Sequence, residues 1–301
     1  MKESDSTPQS KHEIERSIGH ISETNPVRRT FWHMDKKVEK LITGVQQGDD
    51  AIVVGDMVYN MEGPYPLKIG MKTGLIHTCS DIVVMGAKPL FALDSMQVGS
   101  VEQSLEVAQA LKKQSDGLGV PLVGGNTQME NDLTPCISFT VVGKLITDKI
   151  IPDSTARAGD TILMLGQPVE GEVGERVARA KRKFETFLEC IQKVDVHASK
   201  DASRGGWFGN LIEMMIKAHK GFKITSIPFQ SFSRYLGTYM AAVSKNEKEK
   251  IVSIAARHSC PVIEMGQVTK SLAVTMGGEE IITAQRMQEL IRENPFKRPN
   301  P

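Results

Sequence analysis

Hydrophobic positions along the chain follow two spacings, one suited to helices and one to strands, and the two alternate often enough to predict an α/β (α+β) protein. In MDKKVEKLITGV, Val38, Leu41 and Ile42 share one helical face, which predicts a short amphipathic helix ending at Gly44. A strand over 51–54 and a loop at Gly63-Pro64-Tyr65-Pro66 follow. Met71, Leu75, Ile76, Ile82, Val83 and Met85 then recur as in one long buried helix over 69–87, which Gly86 and Pro89 stop. Next come a strand over 90–96, a helix over 101–118 started by Ser100, and GVPLVGGNT, an apolar strand running into a glycine turn. Strands are predicted at 137–146 and 161–165, a long basic helix after Gly174, and an amphipathic helix with Leu211, Ile212, Met215 and Ile216 inward. KGFKITSIPF reads as a strand, SKNEKEKIVSIAARHS as a helix, and PVIEMGQVTKSLAVTM as a hairpin-like pair.

Residues 1–33 carry few large apolar groups and predict a mobile tail. A first domain over 34–150 and a second over 151–285 follow, with the break at Pro152 and DSTARAGD; residues 286–301 read as a second tail. A chain of 301 residues suits two cores better than one.

Charge and composition narrow the partners. A net charge of +1 provides no broad field for a nucleic-acid backbone or an acidic membrane. No apolar run reaches the roughly 20 residues that span a bilayer, and the polar N-terminus lacks the apolar segment of a signal, so a cytoplasmic protein is expected. Cys79, Cys136, Cys190 and Cys260 are far apart with no CxxC pair, the pattern of reduced thiols.

Four polar stretches carry candidate chemistry. Ser80 and Asp81 interrupt the apolar 69–87 run, and a carboxylate is rarely buried without a metal ion or a hydrogen-bonding network. Asp49, Asp50 and Asp56 bracket the 51–54 strand; they repel one another unless a cation intervenes, although turn and loop roles also suit them. Gly124-Gly125-Asn126-Thr127 fits either a tight turn or close backbone approach to a ligand. Asp201, Ser203, Arg204, Gly205 and Gly206 precede a helix; the arginine suits an anion there, while Asp201 or Ser203 suits a cap. Gly171 and Gly174 offer a weaker phosphate-binding signal without P-loop spacing.

The order of these motifs over about residues 49–280, from GDDA to the SD helix, GG-x-T and D-x-SRGG, resembles the ATP-binding superfamily named for aminoimidazole ribonucleotide synthetase. That superfamily also contains selenophosphate synthetase, thiamine-monophosphate kinase, formylglycinamidine ribonucleotide synthetase and the hydrogenase-maturation carbamoyl dehydratase. The resemblance implies an N-terminal α/β domain whose sheet pairs across a homodimer, with ATP at the interface, and a C-terminal α/β sandwich domain. It implies ATP held through Mg²⁺, with Asp49, Asp50, Asp56, Asp81 and Asn126 as metal ligands and Asp81 and Asp56 as catalytic residues. Gly124, Gly125, Asn126, Thr127, Lys72, Asp201, Arg204 and Gly205 would bind the nucleotide.

Some positions depart from the pattern. Asp50 and Asp56 nearly adjoin where the family separates them by a strand, His77 stands where many members have Asn, and Asn126 replaces an acidic residue. The cysteines that mark selenophosphate synthetase and the dehydratase are not seen. The expectation is an ATP- and Mg²⁺-dependent enzyme that activates a small-molecule substrate by phosphoryl transfer, of cyclo-ligase, selenophosphate-synthetase-like or kinase type. The alternative is a catalytically silent nucleotide-binding or scaffold protein of the same fold.

Overall fold

The strand-forming runs collect into two mixed sheets. The first contains β1 (Leu41–Thr43), β2 (Ile52–Val54), β3 (Met57–Pro66), β4 (Ala87–Gln97), β5 (Leu122–Gln128) and β6 (Cys136–Leu145), in the order β1-β2-β3-β6-β4-β5. The second contains β7 (Thr161–Leu165), β8 (Val196–Asp201), β9 (Gly221–Ile224), β10 (Tyr239–Val243), β11 (Val262–Thr269), β12 (Val274–Met276) and β13 (Glu279–Ile282), in the order β13-β12-β9-β11-β7-β10-β8. The helices are α1 (Pro8–Glu23), α2 (Asn25–Phe31), α3 (Leu67–Ile69), α4 (Leu75–Val84), α5 (Val101–Leu118), α6 (Val173–Lys193), α7 (Gly206–Ala218), α8 (Lys248–Arg257) and α9 (Ala284–Glu293). The structure, a computed structural model, describes residues 8–23, 25–129 and 132–300.

One core joins the inner face of the first sheet (Val58, Phe139, Val141) to α4, α5 and α6 and to one face of the second sheet, through Leu163, Leu165 and Ala241. The opposite face of the second sheet, with Ile162, Met164, Met240 and Ala242, packs with α7, α1 and α9 into a second core. Both faces of β7 and β10 are therefore covered, and both strands read as unbroken apolar runs.

Tertiary pairing overrides the local signals in several places. The helix expected before Gly44 is instead a 3₁₀ turn (Trp32–Lys37) and β1, because Leu41 and Thr43 pair with Val54 and Val53. The long helix expected over 69–87 is divided: α3 leads through a π turn (Gly70–Gly74) into α4. The helix lies so close on β6 that a Cβ on Gly70 or Gly74 would stand 2.2 Å from Ile137 or 2.3 Å from Phe139. The Gly63-Pro64 segment lies within β3, at a shift in register against β6, and is not a loop. GG-x-T is likewise no turn: Gly124 and Gly125 continue β5 opposite Leu93 and Asp94 of β4. β11 and β12 are not a hairpin, since β9 lies between them.

Both expected tails carry packed structure. Within 1–33, α1 buries Ile18 and Ile21 on the second core, with Ile14 beside them at helical spacing; residues 1–7 lie outside the described residues. Within 286–301, α9 buries Met287 and Leu290, and the Asn300 amide donates to the Ile42 carbonyl.

The α1–α7 contact has a measurable consequence. A Cβ on Gly209 would stand 2.2 Å from the Ser17 carbonyl oxygen. Alanine ordinarily stabilises a helix interior over glycine by about 1 kcal/mol, so the sign reverses at this position. Gly209→Ala should lower the melting temperature and speed proteolytic cleavage near α1, read by thermal unfolding and limited proteolysis.

Candidate active site

Carboxylates from both domains converge where α4 meets the end of β8. Asp81 is buried on α4, and Asn60 of β3 donates through Nδ2 to its Oδ2 at 2.6 Å. Glu62, two residues further along β3, also shares a hydrogen bond with Asp81 and accepts one from the Tyr65 hydroxyl at 2.5 Å. Asp201 ends β8 almost wholly buried, and its Oδ1 has no hydrogen-bond partner. Burial, above all, holds Asp81 well above the usual carboxylate range, and the charges of Asp201, Glu62 and Asp50 push it further. Asp201 is raised by burial too, against a hydrogen bond from Ser203 and the charges of Lys200 and Lys183.

Behind Asp81 lies a lysine that enters the apolar stripe of α6. Lys183 is buried; its Nζ donates to Ser80 Oγ at 3.1 Å and to the Gly237 carbonyl at 2.5 Å, and lies 3.9 Å from the Tyr239 ring centre. Burial lowers its pKa to about 8, with Asp201 and Asp81 opposing. The His77 ring lies 4.8 Å from that of Tyr235 and shares a hydrogen bond with Thr73. Burial, with the charges of Lys183 and Arg176, holds His77 down to about 3, so its imidazole is neutral near pH 7.

The residues expected from the motifs separate into groups. Asp81 and Asp201 lie near enough for the charge of Asp201 to raise the Asp81 pKa. Asp50 approaches them, but Lys200 holds its Oδ1 at 2.8 Å, and Asp49 accepts the Asp50 and Asp153 amides. Asp56 does not join the group: it sits exposed next to Gly55 in the turn between β2 and β3 and pairs with Lys144 at 3.1 Å. The β3 residue that reaches Asp81 is Asn60, four positions later, and the short Asp50–Asp56 interval is that of the tight hairpin between β2 and β3. Gly124, Gly125, Asn126 and Thr127 lie exposed on the edge strand β5, and Lys72 leans towards Glu172. Arg204 pairs with Glu23 of α1, and a Cβ on Gly205 would meet the His20 ring at 2.3 Å, so α1 covers the helix start that an anion would need. The start of α6 is closed by a Glu172–Glu175 capping box.

Oxygen-rich side chains suit a hard divalent cation. Among the described residues, however, no three His, Cys, Asp or Glu side chains are grouped to hold a metal ion. Asn60 and Glu62 engage Asp81 and Lys200 engages Asp50, which leaves Asp81 and Asp201 as the pair a cation could join. Sequence reasoning missed Asn60, Glu62, Lys183 and Lys200. The one available signal was a lysine at position 183 within the apolar stripe of Ala180, Phe184 and Phe187.

Comparison with known proteins agrees with this architecture. Residues 40–145 match the N-terminal domain and 163–277 the C-terminal domain of the AIR synthase related proteins. The chain is 49% identical over 288 residues to the uncharacterized protein MJ0799 of Methanocaldococcus jannaschii, covering 95% of this chain and 97% of that one. It is 28% identical over 251 residues to the phosphoribosylformylglycinamidine synthase subunit PurL of Thermoanaerobacter pseudethanolicus, covering 71% of this chain and only 34% of PurL. The fold matches that of T. maritima PurL complexed with AMPPCP at a TM-score of 0.70 and 17% identity, over 91% of this chain and 50% of that one. The chain belongs to the AIR synthase related family. It spans about a third of the length of the curated PurL relative. No helix among the described residues is long and apolar enough to cross a membrane.

His77 sets a pH dependence with a definite sign. Its folded pKa of about 3 lies below the ordinary 6.5, so the unfolded chain binds the proton more readily and stability falls as pH drops below about 6.5. The slope is at most about 1.4 kcal/mol per pH unit. His77→Gln should flatten this acid limb, measured by urea unfolding between pH 7 and 4.

Proposed function

We propose that the chain is an ATP- and Mg²⁺-dependent enzyme that activates a small substrate by phosphoryl transfer and works as a homodimer. The observation that carries this reading is the buried, partnerless Oδ1 of Asp201, on the carboxylate whose charge perturbs Asp81 most. A buried acceptor without a donor is costly. Mg²⁺ commonly takes one or two carboxylates and completes its shell with phosphate oxygens and water; Asp81 and Asp201 would be those two. Bound there, the ion would neutralise charge moving onto the leaving phosphate. Asn60 orients Asp81 through Oδ2, and the Asp81–Glu62 hydrogen bond keeps a proton that is released when the pair ionises. The PurL relative crystallised with AMPPCP supports a nucleotide as the ligand.

The edge position of GG-x-T supports the dimer. In sheet order β6 and β4 separate β5 from β3, so three strand spacings, about 14 Å, lie between Asn60 and the glycines. Ile52, Tyr59, Met61 and Leu93 meanwhile present an apolar outer face to solvent, and β5 leaves one edge unpaired. A second copy on this face would cover the apolar side chains and bring its own GG-x-T residues to the seam.

Two tests follow. ATP should raise the melting temperature only with Mg²⁺ present, by about 2.7 kcal/mol of stability at a hundredfold excess over Kd, and Asp81→Asn should abolish both the shift and ATP turnover while Asp56→Asn leaves them intact. Since the Asp81 pKa is raised in the folded chain, the stability tied to its proton is lost as pH rises above the ordinary carboxylate range. Asp81→Asn should therefore be at least as stable as the parent protein at pH 7 without ligand. Equal ATP shifts with and without Mg²⁺, and no turnover, would favour a silent nucleotide-binding protein. Second, Met61→Lys, at a side chain 69% exposed in the single chain, should convert a dimer to a monomer in sedimentation velocity and weaken the ATP shift.

A further inference from the structure

The aspartate pair ahead of β2 is surrounded by lysines. Lys200 of β8 is almost fully buried, and its ammonium reaches Asp50 Oδ1 at 2.8 Å, Asp153 Oδ2 at 3.0 Å and Glu213 Oε2 at 3.6 Å. Lys217, one helix away on α7, is buried as well and reaches Asp153 Oδ2 at 2.5 Å, Glu213 Oε1 at 2.8 Å and the Gly48 carbonyl at 2.6 Å. An ammonium has three N–H donors; Lys217 has three oxygens within 2.8 Å, and Lys200 has two within 3.0 Å with Glu213 as a longer ion pair. Asp49 is turned to backbone amides. A divalent ion coordinated by Asp50 would have to share that carboxylate with the Lys200 ammonium, and two buried cations on one carboxylate repel each other strongly.

We propose that Lys200 is a protein-borne cation in place of a metal ion at Asp49–Asp50, so that this acidic pair takes no divalent cation and any nucleotide-linked metal is confined to Asp81 and Asp201. The inference builds on the Mg²⁺-ATP reading of the site and can be separated from it. Lys200 lies next to Asp201 in sequence, and its long side chain carries its charge to Asp50 while the Asp201 amide points at the same carboxylate at 3.4 Å. One strand end thus presents a carboxylate for a metal and an ammonium that blocks a second one.

The test counts Mn²⁺ by the loss of its free-ion electron paramagnetic resonance signal, using the full chain with and without a non-hydrolysable ATP analogue. With the analogue, the parent protein and Asp50→Asn should bind the same number of Mn²⁺ ions, with affinities within twofold, and Asp81→Asn should bind at least tenfold more weakly. Lys200→Gln should gain one Mn²⁺ equivalent, with or without the analogue, and the added Asp50→Asn change should remove it. Loss of an equivalent from the parent on Asp50→Asn would overturn the proposal, as would a folded Lys200→Gln protein that gains none. Asp50→Asn keeps an acceptor for Lys200, so the comparison stands even where Lys200→Gln does not fold. If the parent binds no Mn²⁺ with the analogue while Lys200→Gln gains an Asp50-dependent ion, the Mg²⁺-ATP reading fails and the lysine assignment holds.

Discussion

Ionised side chains can be buried only with partners, and this constraint governs the seam between the two sheets. Asp50 and Asp81 come from the first sheet's domain, Asp153 from the connection, and Asp201 and Glu213 from the second. The buried lysines among the described residues, Lys183, Lys200 and Lys217, project from elements of the second domain, namely α6, β8 and α7. Asp50 and Asp153 each meet a lysine anchored on the other side, whereas Asp81 does not. Removing one member of such a pair typically costs about 3–5 kcal/mol, so the network penalises any arrangement of the domains that separates its members.

The N-terminal helix extends the same constraint. His20 Nε2 lies 3.3 Å from Glu213 Oε2, so α1 contacts the carboxylate that Lys200 and Lys217 also hold. Two glycines admit that approach, Gly205 just ahead of α7 and Gly209 within it: at either, a side chain would meet α1. The D-x-SRGG segment, which reads as an anion-binding helix start, is therefore a packing device along Arg204–Gly205, while Asp201 at its head stays with the carboxylates.

Long periodic elements were legible from sequence. The 101–118 helix and the 161–165 strand stand where their spacing put them, because one apolar face or an unbroken buried run determines each. Illegible elements were those formed by pairing across distance. β1 and β3 gain their identity from partners, and the Gly-Gly segment of β5 becomes a strand only because β4 lies beside it. In the site, Asp81 announced itself as a carboxylate in an apolar helix, and Asp201 as part of a motif. Asn60 could not be found that way, because its significance lies in a 2.6 Å contact with a residue 21 positions later. The lysines were hidden by the usual expectation that lysine is solvated.

The two sets of carboxylates illustrate how one residue type acquires opposite fates in a single seam. Asp50, Asp153 and Glu213 each pair with a lysine of the chain, although burial still raises Asp50 to about 7. Asp81 has an amide and a second carboxylate instead, and neither supplies a positive charge; Lys183 donates to Ser80 and the Gly237 carbonyl. Asp201 keeps an oxygen with no donor, as Asp153 does, but the other oxygen of Asp153 meets two lysines. Charge balance for this second set must come either from protons, as the raised pKa values indicate, or from something the chain binds. A carboxylate pair with no ammonium of the chain on it is open to an external cation, whereas Asp50, already held by Lys200, is not, and it is the position of the lysines rather than of the aspartates that separates the two.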